Sequence, residues 1–246
     1  MTAIADAGWN QCPQCQGWVP GPKETCPGCR PAYRSILDLV LRGPEQLDAM
    51  MRDERNLPAL IQRLLFLSLA GLLVHGLVVG ASAQLLEGSG LFAQGHPAVW
   101  MPLCSMLAFV GALCLCLPSF YFYTQLSGLD ASFRLVTAQA LRGQATTSLF
   151  LFSALPFYGA WVLAGMLGAG QVNGMLVAGV TLPFLVGLLG VRAVYRAFKA
   201  MAATMPITHR RRGNFLGRLV LCWSAVYTAV APVALWRLCE ALSGVL

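Results

Sequence analysis

The sequence predicts an all-α polytopic membrane protein of about five transmembrane helices, with a small cysteine-bearing module at its N-terminus. Three observations carry that prediction. Hydrophobic residues make up 57% of the 246 and charged residues only 11%, against roughly 25% charged in an ordinary globular domain. The mean hydropathy is +0.64, and the charges are excluded from long runs rather than thinned evenly. Four of the nine cysteines fall in two CxxC pairs ahead of the first such run.

Residues 64–86 contain no Asp, Glu, Lys or Arg, and this run exceeds the roughly 20 residues that cross a hydrocarbon core as a helix. Similar runs lie near 99–123, 146–169, 174–191 and 219–236. The first run follows a polar, cysteine-bearing segment rather than a short basic leader, so it is expected to stay in the membrane and not to be cleaved as a signal peptide.

Orientation follows from the basic residues, which accumulate on the cytoplasmic side. Residues 1–63 hold seven of the 17 Lys and Arg, 124–145 holds Arg134 and Arg142, and 192–218 holds seven more. The connections at 87–98 and 170–173 hold none. The N-terminus and both basic connections are therefore expected in the cytoplasm and the C-terminus outside, in a multi-pass protein of a cytoplasmic membrane. Arg237 dissents, and Glu240 three residues later is its expected partner on a helical turn. With 15 Arg against 2 Lys and much Ala, Leu and Gly, the composition suits a GC-rich bacterial genome.

The net charge of +7 is localised. Seven acids balance seven bases in 1–63, whereas 192–218 carries seven bases and no acid. Positive-inside topology accounts for such a loop; attraction of Arg192, Arg196, Lys199, Arg210, Arg211 and Arg212 to anionic lipid of the cytoplasmic leaflet, or to a partner, is the sharper reading. Nucleic acid is disfavoured, because the basic run lies against the membrane without interleaved stacking aromatics.

Three regions follow. Residues 1–32 are turn-rich, with Pro13, Gly17, Pro20, Gly21, Pro22, Pro27 and Gly28 leaving no room for a long element. Residues 33–63 read as juxtamembrane: a short helix or apolar turn up to Leu41, a break at Gly43-Pro44 with Pro at the first helical position, then an amphipathic helix through Leu47, Met50 and Met51. Residues 64–246 form the five-helix domain. In the 124–145 connection, Leu126, Leu129, Phe133, Val136 and Ala140 recur at three- and four-residue steps. They predict a helix lying on the cytoplasmic leaflet or a cytoplasmic extension packed under the bundle. The fourth helix is expected to continue as a basic arm until Pro206, and 208–213 to form the turn into the fifth span. Intramembrane Pro118, Pro156, Pro183 and Pro232 predict kinked, packed helices or a water-admitting opening, with packing favoured by the lack of neighbouring charge. Gly76 and Gly80, four apart, permit a close helix crossing.

The strongest chemical signal is the cysteine clip Cys12, Cys15, Cys26 and Cys29. In a CxxC knuckle the backbone turns tightly enough for both thiolates to reach one ion, and two knuckles complete the tetrahedral four-thiolate shell favoured by zinc. Iron and a redox dithiol are the competing readings, and a disulfide pair is disfavoured in a reducing cytoplasm. Such a segment, with Trp18, Val19 and little else apolar, cannot fold on its own burial, whereas structural Zn2+ contributes about 10–16 kcal/mol of apparent binding energy to peptides of this kind. Trp18 is expected to cover the site or pack on its hairpin.

The remaining cysteines, Cys104, Cys114, Cys116, Cys222 and Cys239, lie in apolar spans and read as small hydrophobes. His75 is the one strongly polar residue near the middle of the first span, and such a group is a functional candidate by default. With no acid or base in the spans to pair with it, a neutral imidazole bonded to a neighbouring helix is the expected state. The sequence carries no HExxH, no GxSxG and no pair of intramembrane carboxylates for acid–base work. His96 is followed at once by Pro97, without an acid at catalytic spacing. A non-enzymatic protein is expected.

Cys12-Pro13-Gln14-Cys15, a ten-residue spacer and Cys26-Pro27-Gly28-Cys29 resemble the short zinc-ribbon module at the N-terminus of many prokaryotic proteins. Gln16 and Arg30 stand where that module usually has Gly, which touches the turn geometry and not the ligand set. The resemblance implies a structural metal in a binding module. Across residues 42–240, the GPE segment leading into an amphipathic helix, the five spans and the LPSFYF end of the second span resemble the bacterial Yip-type membrane proteins. This implies an organising or trafficking-like adaptor, with no catalytic residues to carry over. Together these readings predict a membrane adaptor or assembly protein, homo- or hetero-oligomeric, whose cytoplasmic ribbon binds a protein partner. The alternative is a transporter or channel subunit using the proline-broken spans and His75.

Overall fold

A computed structural model describes residues 9–11, 18–20, 35–52, 54–86, 95–126, 128–129, 131–168, 171–203 and 210–243. The chain divides into two units, Met1–Gly43 and Pro44–Leu246.

In the first unit, β1 (Trp9–Gln11) pairs antiparallel with β2 (Trp18–Pro20), with Trp9 opposite Pro20 and Gln11 opposite Trp18. Trp and Val suit such a pleated pair. Helix α1 (Ile36–Arg42) opens on Ser35, whose hydroxyl accepts from the Asp38 amide at 3.2 Å. That bond satisfies one of the unpaired amides at a helix start. Asp38 in the first turn and Arg42 in the last both complement the helix dipole.

The second unit is helical among its described residues. Helix α2 (Pro44–Arg52) starts on the expected proline and buries Leu47 and Met51. It is followed by α3 (Leu57–Leu85), α4 (Pro97–Leu126), α5 (Phe133–Met166), α6 (Val172–Ala203) and α7 (Arg210–Ser243). These five are long and apolar enough to cross a membrane. Phe66, Leu115 and Phe157 are 74%, 76% and 79% exposed. Apolar faces of this kind belong against lipid rather than water.

Helix α3 packs between α4 and α5, α6 packs on α5, and α7 on α4. The expected close crossing at Gly76 and Gly80 is present: a side chain on Gly76 would meet the Pro102 Cα at 2.6 Å, and one on Gly80 would strike the Pro97 carbonyl. A second crossing joins α5 to α6, where Gly190 lies against Gly143 and Thr147. Intramembrane Pro102, Pro118, Pro156, Pro183 and Pro232 all lie inside helices that continue past them.

Two expectations are corrected. The apolar positions of 124–145 do not form a helix of their own. Leu126 ends α4, and α5 begins at Phe133, capped by the Ser132 hydroxyl on the Leu135 amide at 3.3 Å, and runs unbroken into the third span. Val136, Ala140, Leu141, Arg142 and Gln144 are buried there. The segment is the packed extension, because nothing between Ser132 and the span breaks the helix and its apolar face meets protein. Similarly, Arg210–Gly213 is the first turn of α7 rather than part of the connecting turn; 204–209 lies outside the described residues.

Candidate functional site

The four clip cysteines and the Trp18 side chain lie outside the described residues. What is described beside them is the β1–β2 pair. Because Gln11 faces Trp18 across the β1–β2 pair, the two ends of segment 12–17, which contains Cys12 and Cys15, are held together. Among the described residues no three His, Cys, Asp or Glu side chains converge as a metal site. Of the other cysteines, Cys104, Cys116 and Cys239 are buried, while Cys114 and Cys222 are exposed on the apolar surface.

His75 is 1% exposed, and its Nε2 lies 3.1 Å from the Gly179 carbonyl of α6. A carbonyl only accepts, so Nε2 carries the proton and donates. The choice of Gly179 has a backbone cause. In a regular helix its carbonyl would accept from the amide of residue 183, but that residue is Pro183, which has no N–H. His75 supplies the missing donor. Gly179 is itself required, since a side chain there would meet the Tyr158 hydroxyl at 2.5 Å. The two features that pointed separately to a solute path, an intramembrane histidine and a proline-broken span, thus satisfy each other. His75 Nδ1 is buried without a partner.

Helix α7 is tied to α4 in the same currency. Trp223 Nε1 donates to the Cys116 carbonyl at 3.0 Å, two residues before Pro118, and the Tyr227 hydroxyl lies 3.0 Å from the Phe109 carbonyl. Trp223 stacks on Phe120 at 4.3 Å between centroids and on Tyr227 at 5.8 Å.

On the expected cytoplasmic side, Arg192, Arg196 and Lys199 are exposed on the last turns of α6. Arg210, Arg211 and Arg212 occupy the first turn of α7. Arg237 pairs with Glu240 at 3.2 Å, as expected from their spacing.

Two arrangements escaped the sequence reading. Arg142, counted there only as a basic residue, is buried and pairs with Asp48 of α2. Gln144, one half-turn further into the membrane, lies 3.1 Å from the Tyr227 hydroxyl through Oε1, while its buried Nε2 has no partner. Gln144 also lines a cleft between α4, α5, α6 and α7 whose empty space, open solvent included, is about 560 Å³. A polar residue beside a buried Arg, followed by an apolar helix, was the one available signal.

No family model matches the chain, and no curated protein or solved structure matches it either.

Proposed function

We propose that this is a non-enzymatic adaptor or assembly protein of a bacterial cytoplasmic membrane, with its N-terminus inside. A zinc ribbon built on Cys12, Cys15, Cys26 and Cys29 binds its protein partner. The observation that carries the reading is the antiparallel register of β1 and β2, which pairs Gln11 with Trp18 on either side of the segment that holds CPQC. Deprotonated thiolates at those four positions would hold one Zn2+, and the metal would supply the folding energy that so small a module lacks. The partner contact would then be made by a surface that exists only in the loaded module.

The membrane part supports the same reading by how its polar groups are used. His75 completes the hydrogen bonding of a proline-interrupted helix, and Trp223 ties α7 to a carbonyl of α4. These are the bonds of a packed scaffold. The basic ends of α6 and α7 would hold the cytoplasmic face against anionic lipid.

The test is co-purification after crosslinking in native membranes, with zinc measured on the same sample. Replacing Cys12 and Cys26 by Ser is expected to abolish both bound zinc and partner recovery while membrane insertion persists. Undiminished recovery from the zinc-free variant would refute the adaptor reading.

A further inference from the structure

The cleft between α4, α5, α6 and α7 is an unusual place for an unpaired amide. Gln144 is 6% exposed, lines the cleft, and has an Nε2 without a partner. A buried donor left unsatisfied is costly. Most of its neighbours in the cleft are apolar or aromatic, among them Phe109, Pro183, Val194 and Trp223, and the hydroxyls of Thr147 and Thr228 donate to carbonyls of their own helices. A ligand for this cleft therefore has one hydrogen-bond acceptor at the Gln144 end and hydrocarbon beyond it.

The geometry selects further. Along α6 the cleft extends from Val194 to Pro183; at 1.5 Å per residue these eleven steps span roughly 16 Å. That is about half of a 30 Å hydrocarbon core, the depth of one leaflet. Gln144 lies two residues, about 3 Å of rise, inside the Arg142–Asp48 pair. It is thus placed where the apolar core begins, at the level of ester carbonyls. Leu188 and Thr228 at the margin of the cleft are exposed, so it opens sideways to lipid. At its cytoplasmic end α6 presents Arg196 and Lys199 outward, one and two turns beyond Arg192.

We infer that this cleft is a binding site for one acyl chain of an anionic glycerophospholipid of the cytoplasmic leaflet. The ester carbonyl accepts from Gln144 Nε2, the chain runs toward Pro183 and Phe109, and the phosphate is held near Arg196 and Lys199. The inference deepens the anionic-lipid part of the proposed function and rests on its inward N-terminus. Gly187 has nothing within 4 Å of where a side chain would begin, so a larger residue there enters the cleft without striking the bundle.

The experiment uses the full chain in phosphatidylcholine vesicles containing a minor fraction of phosphatidylglycerol with a diazirine midway along one acyl chain. After photolysis, labelled peptides are mapped. Labelling is expected to concentrate on 183–194 and 223–228 and to fall about tenfold in Gly187→Leu, as displacement of a chain worth one decade of affinity predicts. Gln144→Leu should lower it about threefold, the loss of one hydrogen bond. Arg196→Gln with Lys199→Gln should remove the preference over a phosphatidylcholine probe carrying the same chain. Labelling no denser in the cleft than around Phe66 and Phe157, or unchanged in Gly187→Leu, overturns the site. Should Gly187→Leu not yield monodisperse protein, undiminished labelling of Gln144→Leu overturns it instead. Single-cysteine labelling from each side separates the two readings: an outward N-terminus with cleft labelling intact refutes the adaptor reading and moves the lipid to the other leaflet. An inward N-terminus without cleft labelling refutes the lipid site alone.

Discussion

His75 and Gln144 are both buried polar side chains in an apolar helix bundle, and the bundle treats them differently. His75 enters a region where α3 and α4 cross closely at Gly76 and Gly80 and where α6 offers a carbonyl that proline has left without a donor. There the Nε2 end is engaged, and Nδ1 lies without a partner beside a small cavity lined by Ser105 and Pro183. Gln144 enters a region where Gly187 leaves open space and where Tyr227 engages only one end of the amide. There the spare hydrogen-bonding capacity faces a cleft. An intramembrane polar residue signals function by default, but whether it does depends on what the neighbouring backbone has left unsatisfied.

The largest expected effect lies at the floor of the Gln144 region. Arg142 is 8% exposed at its side chain and pairs with Asp48, which is 31% exposed. Truncating one member of a buried pair leaves an uncompensated charge and costs about 3–5 kcal/mol. Asp48→Asn, which strands the buried Arg142 guanidinium, is expected to reach that range and Arg142→Ala the lower part of it, because the Asp48 it leaves behind is partly solvated. Thermal or denaturant unfolding in detergent micelles measures both. Replacing the pair together by Met and Leu should recover most of the loss, since the desolvation penalty then disappears with the charges. An equal loss in the double variant would show that α2 is held to α5 by shape and not by charge.

The His75 region is broken by a double-mutant cycle with Pro183. His75→Ala strands the Gly179 carbonyl and should cost about 1–3 kcal/mol. Pro183→Ala restores a backbone N–H to residue 183, able to donate to that carbonyl itself. In the Pro183→Ala background the His75 substitution should therefore cost less, with a coupling of about 1 kcal/mol. Additive losses would separate the histidine from the proline and return His75 to the list of functional candidates.

Much of this fold was legible because the membrane imposes few solutions. Charge-free runs marked the five helices, Pro44 marked the start of α2, and Gly76 and Gly80 marked a crossing, each through local rules of helix geometry. The His75 bond to a neighbouring helix was expected, but not its acceptor. Gly179 lies 104 residues away, and only the assembled bundle places it opposite. The same limit hid Arg142 and Gln144. Their periodic apolar neighbours indicated an amphipathic face, and the sequence could not say whether that face met lipid or protein. It meets protein, because Ser132 caps the helix early and the third span continues straight through it. The clip cysteines are an expectation from spacing and lie outside the described residues, beside which the β1–β2 register adds a pairing that spacing does not contain.

The smallest effect is also the sharpest test of the contrast between the two polar residues. Gln144→Leu removes the amide's contact with Tyr227, whose one hydroxyl hydrogen is shared between Gln144 Oε1 and the Phe109 carbonyl, a loss of at most about 1 kcal/mol, but it also removes a buried donor that has no partner in the bundle, a gain of similar size. The Tyr227 hydroxyl keeps the Phe109 carbonyl within reach at 3.0 Å, so it is not stranded. The net change in stability is expected to be within about 1 kcal/mol of zero in lipid-free detergent. His75→Leu, nearly alike in size and burial, also removes an unpartnered atom, Nδ1, but should remain destabilising because Gly179 keeps its unsatisfied carbonyl. If Gln144→Leu destabilises the detergent-solubilised protein as much as His75→Leu does, the amide is as structural as the imidazole and the cleft has no spare donor to offer. If it is neutral in detergent and destabilising only when phosphatidylglycerol is added, the missing partner of Nε2 is the lipid.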